Sequence, residues 1–301
     1  MIGLKHIFRI LLLSAVLAGC QRMDDILKEP GDPQVFTAIM EPCEAETRTA
    51  LTDIDGRQYA KWTSGDAIAV FQGGAVSSKY ILDDASKGTF LPDQISTGQT
   101  DFPANIALYP FDASVKVQET NIDNYSLSNV IFPDKQQYVR NSFAEESFVM
   151  VAVTSGLDDR TLKFKNICGG IRLQFKGTEN VKVTSIEIQG NNAEVIAGHG
   201  TVSCAKKTNG NDVLRFDAIT SEAKQNVTLD CPAVQLTDTA ATEFIISLPP
   251  VEFSKGFTVT VNAEVSDKDT SYICTSDKRH LIYCSRILTM PEITLCGDSS
   301  L

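Results

Sequence analysis

The sequence predicts an all-β protein, and three observations predict it. Short runs alternate apolar and polar residues with a period of two. Ile171, Leu173 and Phe175 oppose Arg172, Gln174 and Lys176 in this way, the pattern of a half-buried antiparallel strand. Clusters of Gly, Asn, Asp and Pro punctuate these runs, at 190–200, 206–212 and 248–256. No stretch of about ten residues carries a convincing helical stripe, and the segment 141–148 has room for one turn. Many short strands with frequent turns point to a β-sandwich.

The elements follow in order. Lys5, His6 and Arg9 precede an apolar run from Ile10 to Ala18. That run falls short of the ~20 residues a membrane-spanning helix needs, so a basic start and a short apolar middle read as a secretion signal, residues 1–19. It ends in Leu17-Ala18-Gly19-Cys20, which resembles the bacterial lipobox; the resemblance implies cleavage before Cys20 and a diacylglycerol on its thiol. More than one acyl chain gives firm anchoring at ~0.8 kcal/mol per buried methylene. Residues 20–33, with Pro30, Gly31 and Pro33, read as a tether. Asp24-Asp25 is an acidic pair within it.

Val35–Met40 reads as a strand and Glu41–Thr47 as an exposed polar loop. Tyr59–Trp62 and Ala67–Phe71 read as two strands joined by the turn Thr63-Ser64-Gly65-Asp66, with Gly65 at positive φ. The apolar runs 148–153 and 244–248 suit central strands covered on both faces. Val183–Gly190, Asn226–Pro232 and Gly256–Val265 return to strict alternation. The polar segment Thr154–Thr161 divides the chain into 34–157 and 158–301, each large enough for its own core.

The composition narrows function. The chain has 301 residues and a net charge of −11, and loss of Lys5 and Arg9 with the signal makes it −13. Such a polyanion disfavours nucleic acid and anionic lipid. The cysteines beyond Cys20 are Cys43, Cys168, Cys204, Cys231, Cys274, Cys284 and Cys296. Their odd number and irregular spacing favour mostly free, buried thiols over a disulfide framework. Cys274 and Cys284 are the pair a hairpin would bring together. With no Cys-x-x-Cys and with His6, His199 and His280 scattered, no zinc site is expected. Asp53-x-Asp55-Gly56 resembles part of a calcium loop, but Ser64 stands where the twelfth-position acid belongs; a turn is the plainer reading. No cofactor motif and no hydrolase signature occurs, which points away from an enzyme. Trp62, the one tryptophan, reads either as core at a strand end or as part of a sugar platform with Tyr109 or Phe111.

Several pieces in order give a resemblance. The segments 35–41, 48–71, 107–111, 131–139, 141–152, 162–177 and 285–295 together resemble the fimbrillin family of lipoprotein pilus subunits from anaerobic Gram-negative bacteria. The resemblance implies two tandem transthyretin-like β-sandwich domains and no enzymatic activity or cofactor. It implies a subunit (stalk, anchor or tip) of a cell-surface fimbria that supports cell adhesion, lipid-anchored to the outer membrane through Cys20. It also implies processing by a trypsin-like protease between Arg48 and Thr49, removal of the first strand, and partnership with other fimbrial subunits by β-strand addition, with Ile287–Leu295 as the donor segment. Pro291 weakens that donor, since proline cannot donate a backbone hydrogen bond. Arg57 and Arg160 compete with Arg48 as cleavage points. The alternative is a monomeric surface lipoprotein that binds glycans.

Overall fold

Strands dominate, as the period-two pattern predicts. The computed structural model describes residues 35–40, 44–45, 52–54, 57–59, 61–95, 103–121, 124–178, 180–205 and 213–295. In chain order the strands begin with β1 (Phe36–Met40), β2 (Glu44–Ala45), β3 (Thr52–Ile54), β4 (Arg57–Tyr59), β5 (Ala67–Gln72) and β6 (Ser78–Asp84). They continue with β7 (Thr89–Gln94), β8 (Asn105–Tyr109), β9 (Lys116–Asn121), β10 (Asn124–Phe132), β11 (Lys135–Gln137) and β12 (Met150–Val153). Next come β13 (Thr161–Asn166), β14 (Gly169–Lys176), β15 (Val181–Gly190), β16 (Ala197–Ala205), β17 (Val213–Lys224) and β18 (Asn226–Gln235). The last are β19 (Thr242–Leu248), β20 (Val251–Phe253), β21 (Phe257–Val265), β22 (Lys268–Ser276), β23 (His280–Ile282) and β24 (Arg286–Thr294). Among the described residues the one helical element is a 3-10 turn, Glu145–Ser147.

Four sheets carry the architecture. The first closes on itself in the order β1-β13-β12-β8-β5-β6-β7. A four-stranded sheet, β17-β16-β10-β9, covers part of its outside, and a five-stranded sheet, β11-β18-β15-β21-β22, faces a four-stranded one, β19-β14-β24-β2. The all-β expectation holds. The first sheet is a closed barrel, where the sequence reading expected an open sandwich. Closure needs β1 to lie parallel to β13 and antiparallel to β7, a pairing between residues far apart that no local pattern encodes.

The continuous apolar runs have two covered faces. In β5, Ile68 and Val70 point into the barrel core, while Ala69 and Phe71 join the cluster under the four-stranded sheet. The segment 148–153 does the same, with Met150 and Ala152 inside and Val149 and Val151 outside. Between the five- and four-stranded sheets, Ile186, Ile188, Val259 and Val261 meet Ile171, Leu173, Phe175 and Phe244.

Strand β14 departs from its predicted pattern. Arg172, expected on a solvated face, is fully buried. β14 is a central strand between β19 and β24, and Arg172 pairs in register with Ile245, which belongs to the barrel's cluster. The second face is therefore also covered, and Arg172 meets Glu243 across the sheet at 3.5 Å.

Pairing also crosses the 157/158 division. β12 and β13 are antiparallel neighbours, β10 pairs with β16, and β11 pairs with β18. Residues 34–301 cluster as one compact unit.

Candidate functional site

The first described strand, β1, closes the barrel. β1 alternates buried and exposed residues, with Phe36 and Ala38 inside and Thr37 and Ile39 outside. Four consecutive residues, Thr37 to Met40, run in register with Thr161 to Phe164 of β13. On the other side, only Phe36 and Thr37 pair with β7, opposite Phe90 and Thr89. The backbone is held at further points: the Thr37 N–H donates to the Arg160 carbonyl (2.9 Å) and the Ala38 N–H to the Gly88 carbonyl (2.7 Å).

Each buried side chain has a distinct surrounding. The Phe36 ring meets Tyr80 edge-on at 5.1 Å, and the Arg160 guanidinium lies over it, also at 5.1 Å. Tyr80 is fully buried and donates its hydroxyl to Gln72 Oε1 at 3.0 Å. Burial pushes that hydroxyl up to about 12, although the Arg160 charge pulls the other way. At Ala38, the Trp62 indole N–H donates to the carbonyl at 3.2 Å. Gly88, at φ +63°, approaches so closely that an added Cβ would lie 2.2 Å from the Ala38 oxygen.

Arg160 is positioned by the β12–β13 connection. Asn105 Nδ2 donates to the carbonyls of Leu157 (3.1 Å) and Asp159 (3.0 Å), and Thr154 Oγ1 accepts the Asn105 backbone N–H (2.8 Å). Asp159 accepts from the Ser155 hydroxyl and from the Ser155 and Thr161 amides. Those bonds, the Ser155 hydroxyl first, hold its carboxyl below the usual range. Arg160 is thus tied to β1 twice, by its carbonyl to the Thr37 N–H and by its guanidinium over Phe36. Arg57 lies in β4, paired with Ile54 of β3, so its backbone is also engaged.

Other sequence-predicted residues fall as follows. Cys20, Arg48, Thr49, Cys43 and Cys296 lie outside the described residues. The 63–66 turn forms as predicted: the Asp66 N–H donates to the Thr63 carbonyl (3.1 Å), Asp66 Oδ2 accepts the Thr63 N–H (2.8 Å), and Gly65 has φ +102°. The strand expected over Tyr59–Trp62 stops at Tyr59, and Trp62 is half-buried at its end. Trp62 stacks edge-on against Phe90, Tyr109 and Phe164, which makes it core. Phe111 packs against a different cluster and, without Trp62, lines a cleft of about 690 Å³ with Lys79, Asp112 and Ile131. Of the aromatic residues expected beside Trp62, Tyr109 meets it within the barrel's cluster and Phe111 stands apart. Cys168, Cys204 and Cys274 are buried and Cys231 and Cys284 half-buried, and no disulfide joins Cys274 to Cys284.

Within the loop expected over Glu41–Thr47, Glu44 and Ala45 form β2, parallel to the start of β24. The expected donor segment is β24 itself, aligned parallel to β14, with Ile287, Met290, Ile293 and Leu295 buried. Pro291 falls in the register shift opposite Leu173, a bulge that needs no N–H there. Sequence reasoning missed Tyr80 and Gly88, and singled out Arg160 only as a cleavage point competing with Arg48. Gly88 follows the turn-like Asp83–Lys87 stretch, which signals a turn but not the close approach of a second strand.

These features define an all-β protein whose barrel is closed by its first described strand. No family model matches the chain, and no curated protein matches it. Solved structures do. A provisional cell adhesion protein of Bacteroides ovatus, 13% identical, aligns over 87% of this chain and 92% of its own at a TM-score of 0.50. Another from Bacteroides fragilis, 12% identical, covers 87% and 93% at 0.45. A fimbrial protein of Bacteroides ovatus, 11% identical, covers 90% of this chain and 51% of its own at 0.37. The first of these shows a shared fold.

Proposed function

We propose that this chain is a lipid-anchored cell-surface subunit of a fimbria, of the fimbrillin kind, that joins its neighbours by β-strand addition and supports adhesion. The observation that carries the reading is β1. It is a five-residue strand near the N-terminus that closes a barrel, and its loss would leave β13 and β7 with open edges over an apolar slot. An extended segment entering that slot gains backbone hydrogen bonds on β13 and side-chain pockets inside. A contact made this way is head-to-tail and propagates.

In this reading Cys20 carries the lipid, the chain travels to the outer membrane, and a trypsin-like protease cuts between Arg48 and Thr49 to free β1. The reading takes residues 34–301 as two tandem transthyretin-like domains, tied together where β10 pairs with β16 and β11 with β18. The role is structural, with no reaction and no cofactor. The adhesion and fimbrial names of the similar structures are consistent with it. Trp62, committed to Ala38 and the barrel core, argues against the glycan module as first drawn.

The test is the intact mass and N-terminus of the protein recovered from native cell surfaces. A lipid-free chain starting at Thr49 is expected for a stalk subunit, and a lipidated chain starting at Cys20 for an anchor or accessory subunit. A chain cut after Arg48 that stays monomeric with its partner subunits would sink the stalk role.

A further inference from the structure

We propose that the β1 slot selects side chains as well as backbone, and that it takes an aromatic-x-small segment of a different protein, not the Ile287–Leu295 segment of a second copy. The inference rests on the strand-addition reading above.

The Phe36 position is built for a ring. Its walls are the edge of Tyr80, fixed by the bond to Gln72, and the Arg160 cation, fixed by the Asn105-organised connection. An aliphatic residue there keeps the burial and loses both the aromatic edge contact and the cation–π contact. The Ala38 position is built for a small side chain. Its backbone is clamped between the Gly88 carbonyl and the Trp62 indole. Its methyl is buried in the barrel's cluster, and Gly88 already packs so close to the Ala38 carbonyl that the strand cannot shift toward it to make room. A larger side chain overpacks the core there.

The chain's own C-terminal strand does not meet this pattern. Ile287 in the aromatic position brings Thr289 to the small one. Met290 brings Glu292, a charge, into the barrel, and Ile293 brings Leu295. None is aromatic, and the four apolar ones are already buried, Met290, Ile293 and Leu295 beneath the five-stranded sheet and Ile287 in the barrel's cluster. The occupant that fits is therefore a segment with an aromatic residue two places before Ala, Gly or Ser, supplied by another protein.

The experiment uses the full chain with residues 46–48 replaced by the recognition site of a sequence-specific protease. After the cut, the β1 fragment is held only by non-covalent contacts and exchanges with added labelled peptides. Exchange is followed by anisotropy and by Trp62 emission. The probes are the 34–40 peptide, its Phe36→Ala and Ala38→Leu forms, and the 286–295 peptide. The 34–40 peptide is expected to enter, with both altered forms roughly a hundredfold weaker and the 286–295 peptide weaker by about tenfold or more. In the host, Arg160→Gln is expected to reduce the preference for Phe over Ala at position 36 without abolishing entry.

Entry of the 286–295 peptide as tightly as the 34–40 peptide overturns the inference, as does equal entry of the Phe36→Ala form. In both cases strand addition itself survives. If no peptide enters, the 34–40 sequence included, the strand-addition reading falls and the inference falls with it.

Discussion

Asn105 is a buried amide that organises three residues of connection around itself. Its Nδ2 reaches the carbonyls of Gly156, Leu157 and Asp159 at 3.4, 3.1 and 3.0 Å. Asn105→Ala removes that donor from all three, and an unfolding free energy lower by about 1–3 kcal/mol is expected in denaturant titrations. Asn105→Asp should do no better, because a carboxylate cannot donate. His280 supplies a second residue-scale expectation. Its Nε2 lies 2.8 Å from Ser276 Oγ, and burial, with the Lys278 charge adding to it, pushes its imidazole below the ordinary range. As pH falls, the unfolded chain takes up the proton first, so it binds more protons than the folded chain in that window and stability declines. The contribution is fully present above about pH 6.5 and is lost progressively below it. His280→Gln is expected to flatten the slope of stability against pH between about 7 and 5. Neither role is legible in the sequence. Asn105 stands just before an apolar run, and His280 sits between a basic pair and a short strand. The partners of Asn105 lie about fifty residues away, and Ser276, four residues before His280, ends a strand of a different sheet.

At the scale of the element, β1 is an alternating strand whose value depends on its neighbours. Gly88→Ala places a Cβ against the Ala38 carbonyl at a residue with φ +63°. A loss of about 2 kcal/mol or more is expected. Trp62 emission should shift to the red in the same variant, since the indole's partner on Ala38 is displaced. Unchanged emission with full stability would mean that the contact at Gly88 is not formed. The strand at 35–40 is readable from its apolar, β-branched run and the turn at 63–66 from its Gly and Asp, because both are set by residues that touch one another locally. The polar face of β14 is misread for the converse reason. Alternation says that one side of a strand is more polar than the other, and it does not say whether that side meets water. At Arg172 it meets Ile245 and Glu243.

For the whole molecule, the interlocking sheets decide behaviour. β9 and β10 share a sheet with β16 and β17, and β11 borders the five-stranded sheet. Neither half of the chain can leave without breaking strand pairs of the other. Denaturant unfolding followed by Trp62 emission and by far-ultraviolet circular dichroism is therefore expected to give coincident midpoints. Two separated transitions would show that the halves fold independently. The thiols give a second global readout. Cys168, Cys204 and Cys274 are buried, and burial pushes Cys231 up to about 12. Peptide mapping after brief alkylation near pH 8 should find these four largely unmodified in the folded protein and fully modified in denaturant. Modification of Cys274 in the native state would place β22 elsewhere.

The sequence by itself determined the all-β class, most strand positions, the doubly covered runs at 148–153 and 244–248 and the tight turn before β5. Each of these follows from periodicity, propensity or spacing over a few residues, where the relevant contacts are close in the chain. Tertiary structure alone decided that the first sheet closes into a barrel, that Arg160 lies over Phe36, that Trp62 is held by Ala38 and that Arg172 is buried. Those outcomes depend on which distant strands become neighbours. Backbone pairing is nearly indifferent to side-chain identity, so the choice of neighbour is made by the packing of all the faces together.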